Sequence, residues 1–131
     1  MAFKVLIVDD DKTILFLHKF QIVKNGISKE PLTFVNGKEA MDFLLTDDSQ
    51  EPYFVFLDIN MPVMNGWQFL DELQEKQVAP KVHVAIVTSS IDRADREKAE
   101  KYDRVCAYLT KPFSNLEAVK KMIEELPQRG N

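Results

Sequence analysis

Short apolar runs in this chain alternate with stretches in which apolar residues recur every three or four positions. The first run, 3–8 (FKVLIV), predicts a strand. The pattern over 12–25 predicts a helix that stops at Gly26, since glycine readily takes the left-handed turn that ends helices. Further strands are predicted at 32–35 (LTFV), 53–57 (YFVFL), 82–87 (VHVAIV) and 105–109 (VCAYL). The run 53–57 is apolar throughout, as a strand buried on both faces should be. Helices are predicted from Asn36-Gly37 to about 45, over 67–76, over 92–102, and from after Pro112 to about 126. The second of the five helices presents Ala40, Phe43 and Leu44. The last presents Leu116, Val119, Met122, Ile123 and Leu126 at helical spacing.

Strand and helix thus alternate five times, which predicts an α/β fold: a doubly wound parallel sheet with helices on both faces. The polar stretch 46–52 (TDDSQEP) is a loop, and no linker, repeat or low-complexity segment divides the chain. Its 131 residues suit one domain around one core. Residues 1–131 are therefore expected to be a single domain with no output domain, since about five residues follow the last helix.

The helix at 92–102 differs from the others. Arg93–Glu97, Arg96–Glu100 and Glu97–Lys101 stand at i,i+4, the spacing of a solvated, ion-paired face. Its apolar side is thin: Ile91, Ala94, Ala99 and Tyr102. Such a helix is weakly anchored and shifts easily.

The polar residues that interrupt the pattern fall in a telling place. Asp9 and Asp10 follow the first strand, Asp58 ends the third, Thr88 ends the fourth and Lys111 follows the fifth. All carboxyl ends of a parallel sheet point one way, so these residues meet at the edge where open α/β sheets bind ligands. Two carboxylates about 5 Å apart repel by roughly 3 kcal/mol at an effective dielectric near 20. Lys111 alone cannot neutralise three of them, so a cation is expected, and a set of hard oxygen donors favours Mg²⁺. A carboxylate is ionised at neutral pH and attacks phosphorus without a general base. Mg²⁺ and Lys111 would offset charge on the phosphoryl oxygens, with the Thr88 hydroxyl donating a hydrogen bond. Asp11 reads as the cap of the first helix. His18 and His83 have no second metal-binding residue beside them and read as structural.

Composition narrows the partners. A net charge of −4 with interspersed signs argues against nonspecific nucleic-acid binding. Cys106 is the lone cysteine, which excludes an internal disulfide and fits a reducing compartment. No signal-peptide core and no bilayer-spanning run is present, so a cytoplasmic protein is expected.

Four motifs carry a specific resemblance: VLIVDDD at 5–11, FLDINMPVMNG at 56–66, VTSS at 87–90 and AYLTKPF at 107–113. Their order and spacing, across nearly the whole chain, resemble the response regulator receiver family, in particular its stand-alone, chemotaxis-regulator-like members. The resemblance implies a flavodoxin-like (βα)5 sheet in strand order 2-1-3-4-5. It implies a phosphorylation-dependent switch of a two-component system or phosphorelay. Asp58 would accept a phosphoryl group from a histidine kinase or histidine phosphotransfer protein. Mg²⁺ would be held by Asp10, Asp58 and the backbone carbonyl of Asn60, with Asp9 assisting. Lys111 would pair with Asp58 and its phosphoryl group, Thr88 and Tyr108 would be the switch residues, and the bond before Pro112 would be cis. The surface of helix 92–102, strand 105–109 and helix 114–126 would then change for an unknown downstream protein. Such a protein is not an enzyme beyond its own aspartyl phosphorylation and dephosphorylation. The segment Lys101-Tyr102-Asp103-Arg104-Val105 departs from the small residues many receivers carry there.

Two alternatives compete. Asp9-Asp10-Asp11-Lys12-Thr13 also fits the DxDxT motif of haloacid-dehalogenase-like phosphatases, with Asp9 as nucleophile. Against this, the only acids after Lys111 are Glu117, Glu124 and Glu125, all within the last helix. The other alternative is a receiver-shaped scaffold that never takes phosphate.

Overall fold

The computed structural model describes residues 3–47, 51–76, 82–89, 92–111, 113 and 116–126. Five strands, β1 (Lys4–Val8), β2 (Leu32–Phe34), β3 (Tyr53–Leu57), β4 (Val82–Thr88) and β5 (Val105–Thr110), alternate with five helices. These are α1 (Lys12–Lys24), α2 (Gly37–Thr46), α3 (Gly66–Glu75), α4 (Arg93–Ala99) and α5 (Leu116–Glu125). All strand pairs are parallel and the order is β2-β1-β3-β4-β5, so the expected doubly wound architecture is borne out. The chain leaves β1 toward β2 and returns across it to β3. The carboxyl ends of β1 and β3 therefore flank the point where strand order reverses.

The period-2 geometry of strands divides the core in two. Val5 and Ile7 of β1, Phe54 and Phe56 of β3, and Ala85 and Val87 of β4 pack with Leu15 and Ile22 of α1 and Val119 and Ile123 of α5. Leu6, Val8, Val55, Leu57, Val84 and Ile86 face the other way, onto α2 and α3. Every residue of β3 is buried, as its unbroken apolar run requires. Phe54 and Phe56 are essentially sealed from solvent, and burying each stabilises the fold by about 1.5–3 kcal/mol.

Side-chain oxygens fix where the helices begin. Asp11 caps α1 by accepting from the amides of Thr13 at 2.9 Å and Ile14 at 3.2 Å. Asn65 and Gln68 exchange reciprocal bonds of 2.9 Å at the start of α3, a capping box that holds the helix against the end of β3. Gly26 ends α1 with φ at +74°.

Three expectations need correction. Helix α4 is shorter than 92–102, because i→i+3 bonds from Lys101 to Lys98 and from Tyr102 to Ala99 tighten and end it. Of its expected apolar side, Ala99 is buried, Ala94 is exposed, and Ile91 lies outside the described residues. In α2, Met41 joins Ala40 and Leu44 in the core, while Phe43 is only part-buried against Phe34 and Tyr53.

His18 is structural, as expected. Its ring stacks on Phe113 with centroids 3.8 Å apart, and burial holds its pKa down at about 4, so it is neutral at physiological pH. His83 meets the Phe3 ring edge-on at 5.8 Å.

Candidate functional site

The hydrogen-bond ladder of the sheet continues past the strand ends and gathers the polar residues. The Asp9 amide donates to the Phe34 carbonyl, the Asp58 amide to the Val8 carbonyl, and the Lys111 amide to the Thr88 carbonyl. Asp9, Asp58 and Thr88 are consequently buried, while Asp10 is exposed at the rim.

Lys111 reaches back between the acids. Its Nζ lies 2.7 Å from Asp9 Oδ2 and 3.3 Å from Asp58 Oδ2. The other oxygens are also engaged. Asp9 Oδ1 accepts from the Asp11 amide at 2.9 Å, and Asp58 Oδ1 accepts from the Asn60 amide at 3.2 Å. The latter bond turns the chain sharply after β3 and holds the Asn60 backbone beside Asp58. Ligand oxygens of Asp9, Asp10 and Asp58 all lie within 4.8 Å of one another. The structure thus brings together Asp9, Asp10, Asp58, Asn60 and Lys111, with Thr88 at the neighbouring strand end. Pro112, named for a cis bond, lies outside the described residues.

The electrostatics follow from three carboxylates and one ammonium. Burial first, and then the Asp9 charge, push the Asp58 carboxyl up to about 6, against the opposing pull of Lys111. For Lys111, burial works downward, but the Asp9 hydrogen bond and the charges of Asp58 and Asp9 outweigh it and hold the ammonium above its usual pKa. The donor set is oxygen throughout and carries excess negative charge, so it fits a hard divalent cation such as Mg²⁺. Among the described residues, Asp9, Asp10 and Asp58 form a carboxylate group that could hold it.

One residue matters more than its sequence signal showed. Gly66, the last residue of the 56–66 motif and just ahead of the helix expected over 67–76, sits against the backbone of Asp58 and Ile59. A Cβ there would approach the Asp58 carbonyl oxygen and Ile59 Cα at 2.8 Å each. Its amide donates to the Ile59 carbonyl at 2.8 Å. The Asn-Gly pair after the proline-containing loop was the available clue, but only the fold reveals the close approach.

A family model, response regulator receiver domain, matches residues 5–124. The chain belongs to the response regulator receiver family. Solved structures agree. A response regulator receiver protein from Dyadobacter fermentans is 25% identical with a TM-score of 0.83, over 94% of this chain and 96% of that one. A two component response regulator from Cytophaga hutchinsonii is 29% identical with a TM-score of 0.81, over 93% and 94%. A Vibrio cholerae chemotaxis protein, CheY4, shares the fold at 21% identity and a TM-score of 0.75, over 96% and 100%. Family membership sets aside the phosphatase alternative built on Asp9. Membership supports phosphorylation-dependent signalling in a two-component system.

The raised Asp58 pKa has a consequence for stability. The folded state binds the Asp58 proton more tightly than the unfolded chain, whose carboxyl titrates near 3.8. That stabilising contribution is present in full below the unfolded value and is lost as pH rises through about 6. Ionised Asp58 therefore costs the metal-free domain stability at neutral pH. Asp58→Asn is expected to raise the unfolding free energy by about 1–3 kcal/mol near pH 7.5 in chelator. The gain should shrink near pH 5 and on adding Mg²⁺, as read by urea unfolding. A variant less stable than wild type under the first condition would contradict this electrostatic reading.

Proposed function

We propose that this receiver domain takes a phosphoryl group on Asp58 from a phosphohistidine of a histidine kinase or histidine phosphotransfer protein. One observation carries the reading: a buried carboxylate at the switch point of the sheet, bonded to a lysine and crowded by two further carboxylates. An Asp58 oxygen forms the bond to phosphorus as the phosphorus–nitrogen bond breaks. The imidazole leaves with the electron pair and is protonated. Lys111, already between Asp58 and Asp9, is positioned to pair with the incoming phosphoryl oxygens. The Asn60 amide orients the Asp58 carboxylate, and the Thr88 hydroxyl is the neighbouring donor. Mg²⁺, when bound by Asp9, Asp10, Asp58 and the Asn60 carbonyl, supplies positive charge that offsets both the acids and the phosphoryl oxygens. The protein is a substrate of its own chemistry and not a turnover enzyme. The intact acid and lysine set disfavours the reading as a scaffold that never takes phosphate.

Acetyl phosphate with Mg²⁺ tests the acceptor. The expected product is one added phosphoryl group by intact mass, lost in Asp58→Asn. Phosphorylation that survived Asp58→Asn but not Asp9→Asn would assign the nucleophile to Asp9 instead.

The output reading rests on how α4 is held. Ala99 is its buried apolar residue, and the rest of its attachment is polar or aromatic. The Arg96 guanidinium lies 4.7 Å from the Tyr108 ring centroid, and Lys98 Nζ lies 4.6 Å from that of Trp67. Trp67 stacks on Tyr102, whose hydroxyl donates to Asp71 of α3 at 2.8 Å. Cation–π contacts of this kind contribute about 0.5–1 kcal/mol each at exposed sites, far less than a packed apolar stripe. A phosphoryl group on Asp58 would draw the Thr88 hydroxyl toward it and let Tyr108 follow. Arg96 would then lose its ring, and the α4–β5–α5 surface would change for a protein partner. NMR with beryllofluoride, a phosphoryl mimic, is expected to show shifts running from Asp58 through Thr88 and Tyr108 to Arg96. Thr88→Ala should shorten their reach. Shifts confined to residues around Asp58, or unchanged in Thr88→Ala, would remove this mechanism.

A further inference from the structure

The contacts that hold α4 are spread unevenly along it. From Arg93 to Lys98 every residue is exposed except the half-buried Asp95, and the first buried residue is Ala99. The ion pair of Arg93 and Glu97, at 3.2 Å, closes on the helix itself, and Arg96 lies over the Tyr108 ring. Just past the last turn the attachments multiply, and they converge on Tyr102. Its amide donates to the Ala99 carbonyl at 3.1 Å, and its carbonyl accepts from the Val105 amide at 3.1 Å. Its ring stacks on Trp67 with centroids 5.9 Å apart and planes inclined by 23°. Its hydroxyl donates to Asp71 Oδ1 at 2.8 Å. Two residues on, the Arg104 carbonyl accepts from the Val84 amide at 2.8 Å and joins the segment to β4.

What Tyr102 grips is itself fixed. Trp67 and Asp71 belong to α3, whose start is set by the capping box of Asn65 and Gln68 and whose Gly66 lies against the backbone of Asp58 and Ile59. Phe69, Leu70 and Leu73 of the same helix are buried in the core. A hydroxyl donating to a carboxylate makes a strong and directional bond. Burial, and then the Asp71 contact, push the Tyr102 hydroxyl up to about 12, so it keeps its proton and donates throughout the physiological range.

We propose that Tyr102, bonded to Asp71 and stacked on Trp67, pins the C-terminal end of α4 to α3, so that α4 moves as a lever about that end and does not slide bodily. The i→i+3 bonds of Lys101 and Tyr102 make the fulcrum short and tight. A helix rises about 1.5 Å per residue, so a tilt of roughly 15° at Ala99 carries Arg93 by about 2–3 Å. Residues 101–104 and α3 stay in place, as the fixed side of a hinge does. The surface is thereby divided. A protein partner that reads the switch must touch 93–98 or Tyr108, and one docked on α3 or on 101–104 is indifferent to it. The lever rests on the reading that phosphate on Asp58 acts through Thr88 and Tyr108; the pin does not.

Two measurements on the full chain separate the pin from the lever. Amide hydrogen exchange, with no phosphoryl mimic added, tests the pin. The Tyr102 and Val105 amides are expected to be about tenfold or more better protected than those of Arg96 and Glu97. Tyr102→Phe, which keeps the ring and loses the hydroxyl, should abolish that difference. Asp71→Asn, which keeps an acceptor oxygen, should preserve it. Equal protection at both ends of wild-type α4, or a difference untouched by Tyr102→Phe, would overturn the pin. Residual dipolar couplings with and without Mg²⁺ and beryllofluoride test the lever. The couplings of 93–98 should change while those of 101–104 keep their orientation relative to β4, and Tyr102→Phe should spread the change to 101–104. Wild-type couplings that change together from 93 to 104, or that stay constant over 93–98 while Asp58 itself responds, would overturn the lever. No response at Asp58 would remove the lever together with the acceptor reading, and the exchange data alone would then decide the pin.

Discussion

Three carboxylates share one ammonium at the carboxyl edge of this sheet. That imbalance organises the rest of the molecule. Asp9 and Asp58 are fixed because the parallel ladder carries their amides one residue past β1 and β3, and Lys111 because its amide closes the same ladder beside β4. None of the three backbones can move away from the others without breaking sheet hydrogen bonds. The repulsion is therefore built into the fold and can be relieved only by adding positive charge or removing negative charge. Lys111 relieves part of it, and its own pKa rises against the pull of burial, while burial first and the Asp9 charge second still carry that of Asp58 to about 6. Gly66 answers a separate, steric demand: packing α3 tightly onto the turn after β3 leaves no space for a Cβ.

The periphery is organised differently. On one face of the sheet, α1 and α5 are anchored by apolar packing, whereas α4 is held on the other by the buried Ala99, by cation–π contacts and, just past its end, by the Tyr102 hydrogen bond to Asp71. The first kind of attachment scales with buried area and is insensitive to the charge state of the site. The second ends on Tyr108, one strand away from Thr88, and on Trp67 at the start of the helix that Gly66 seats. A rigid charged centre is thus joined to a lightly held helix through few intermediaries, the arrangement in which a local charge change can move a surface.

Much of this was legible in the sequence. Strand runs, the five βα repeats and the placement of Asp9, Asp10, Asp58, Thr88 and Lys111 at strand ends all come from periodicity and spacing, because a parallel sheet converts chain position into spatial position. What sequence reading missed depends on contacts between distant segments. Helix α4 was drawn too long because Tyr102 continues the helical pattern, yet its ring is claimed by Trp67 and its hydroxyl by Asp71. The same partners account for Tyr102 within the unusual segment 101–105. The outward exposure of Phe16, Leu17, Phe20 and Val23 on α1 was invisible as an anomaly, since a helix apolar on both sides reads as well buried until the sheet shows which side it turns inward.

The most direct test of the charge imbalance is the Mg²⁺ affinity of Lys111→Met, measured by calorimetry near pH 8, above the Asp58 value of about 6. Lys111 holds oxygens of Asp9 and Asp58 that a cation would use, and its charge repels that cation. Its removal is predicted to tighten Mg²⁺ binding by roughly tenfold, about 1.4 kcal/mol. An affinity unchanged or weakened in Lys111→Met would contradict the view that three carboxylates compete for one insufficient positive charge.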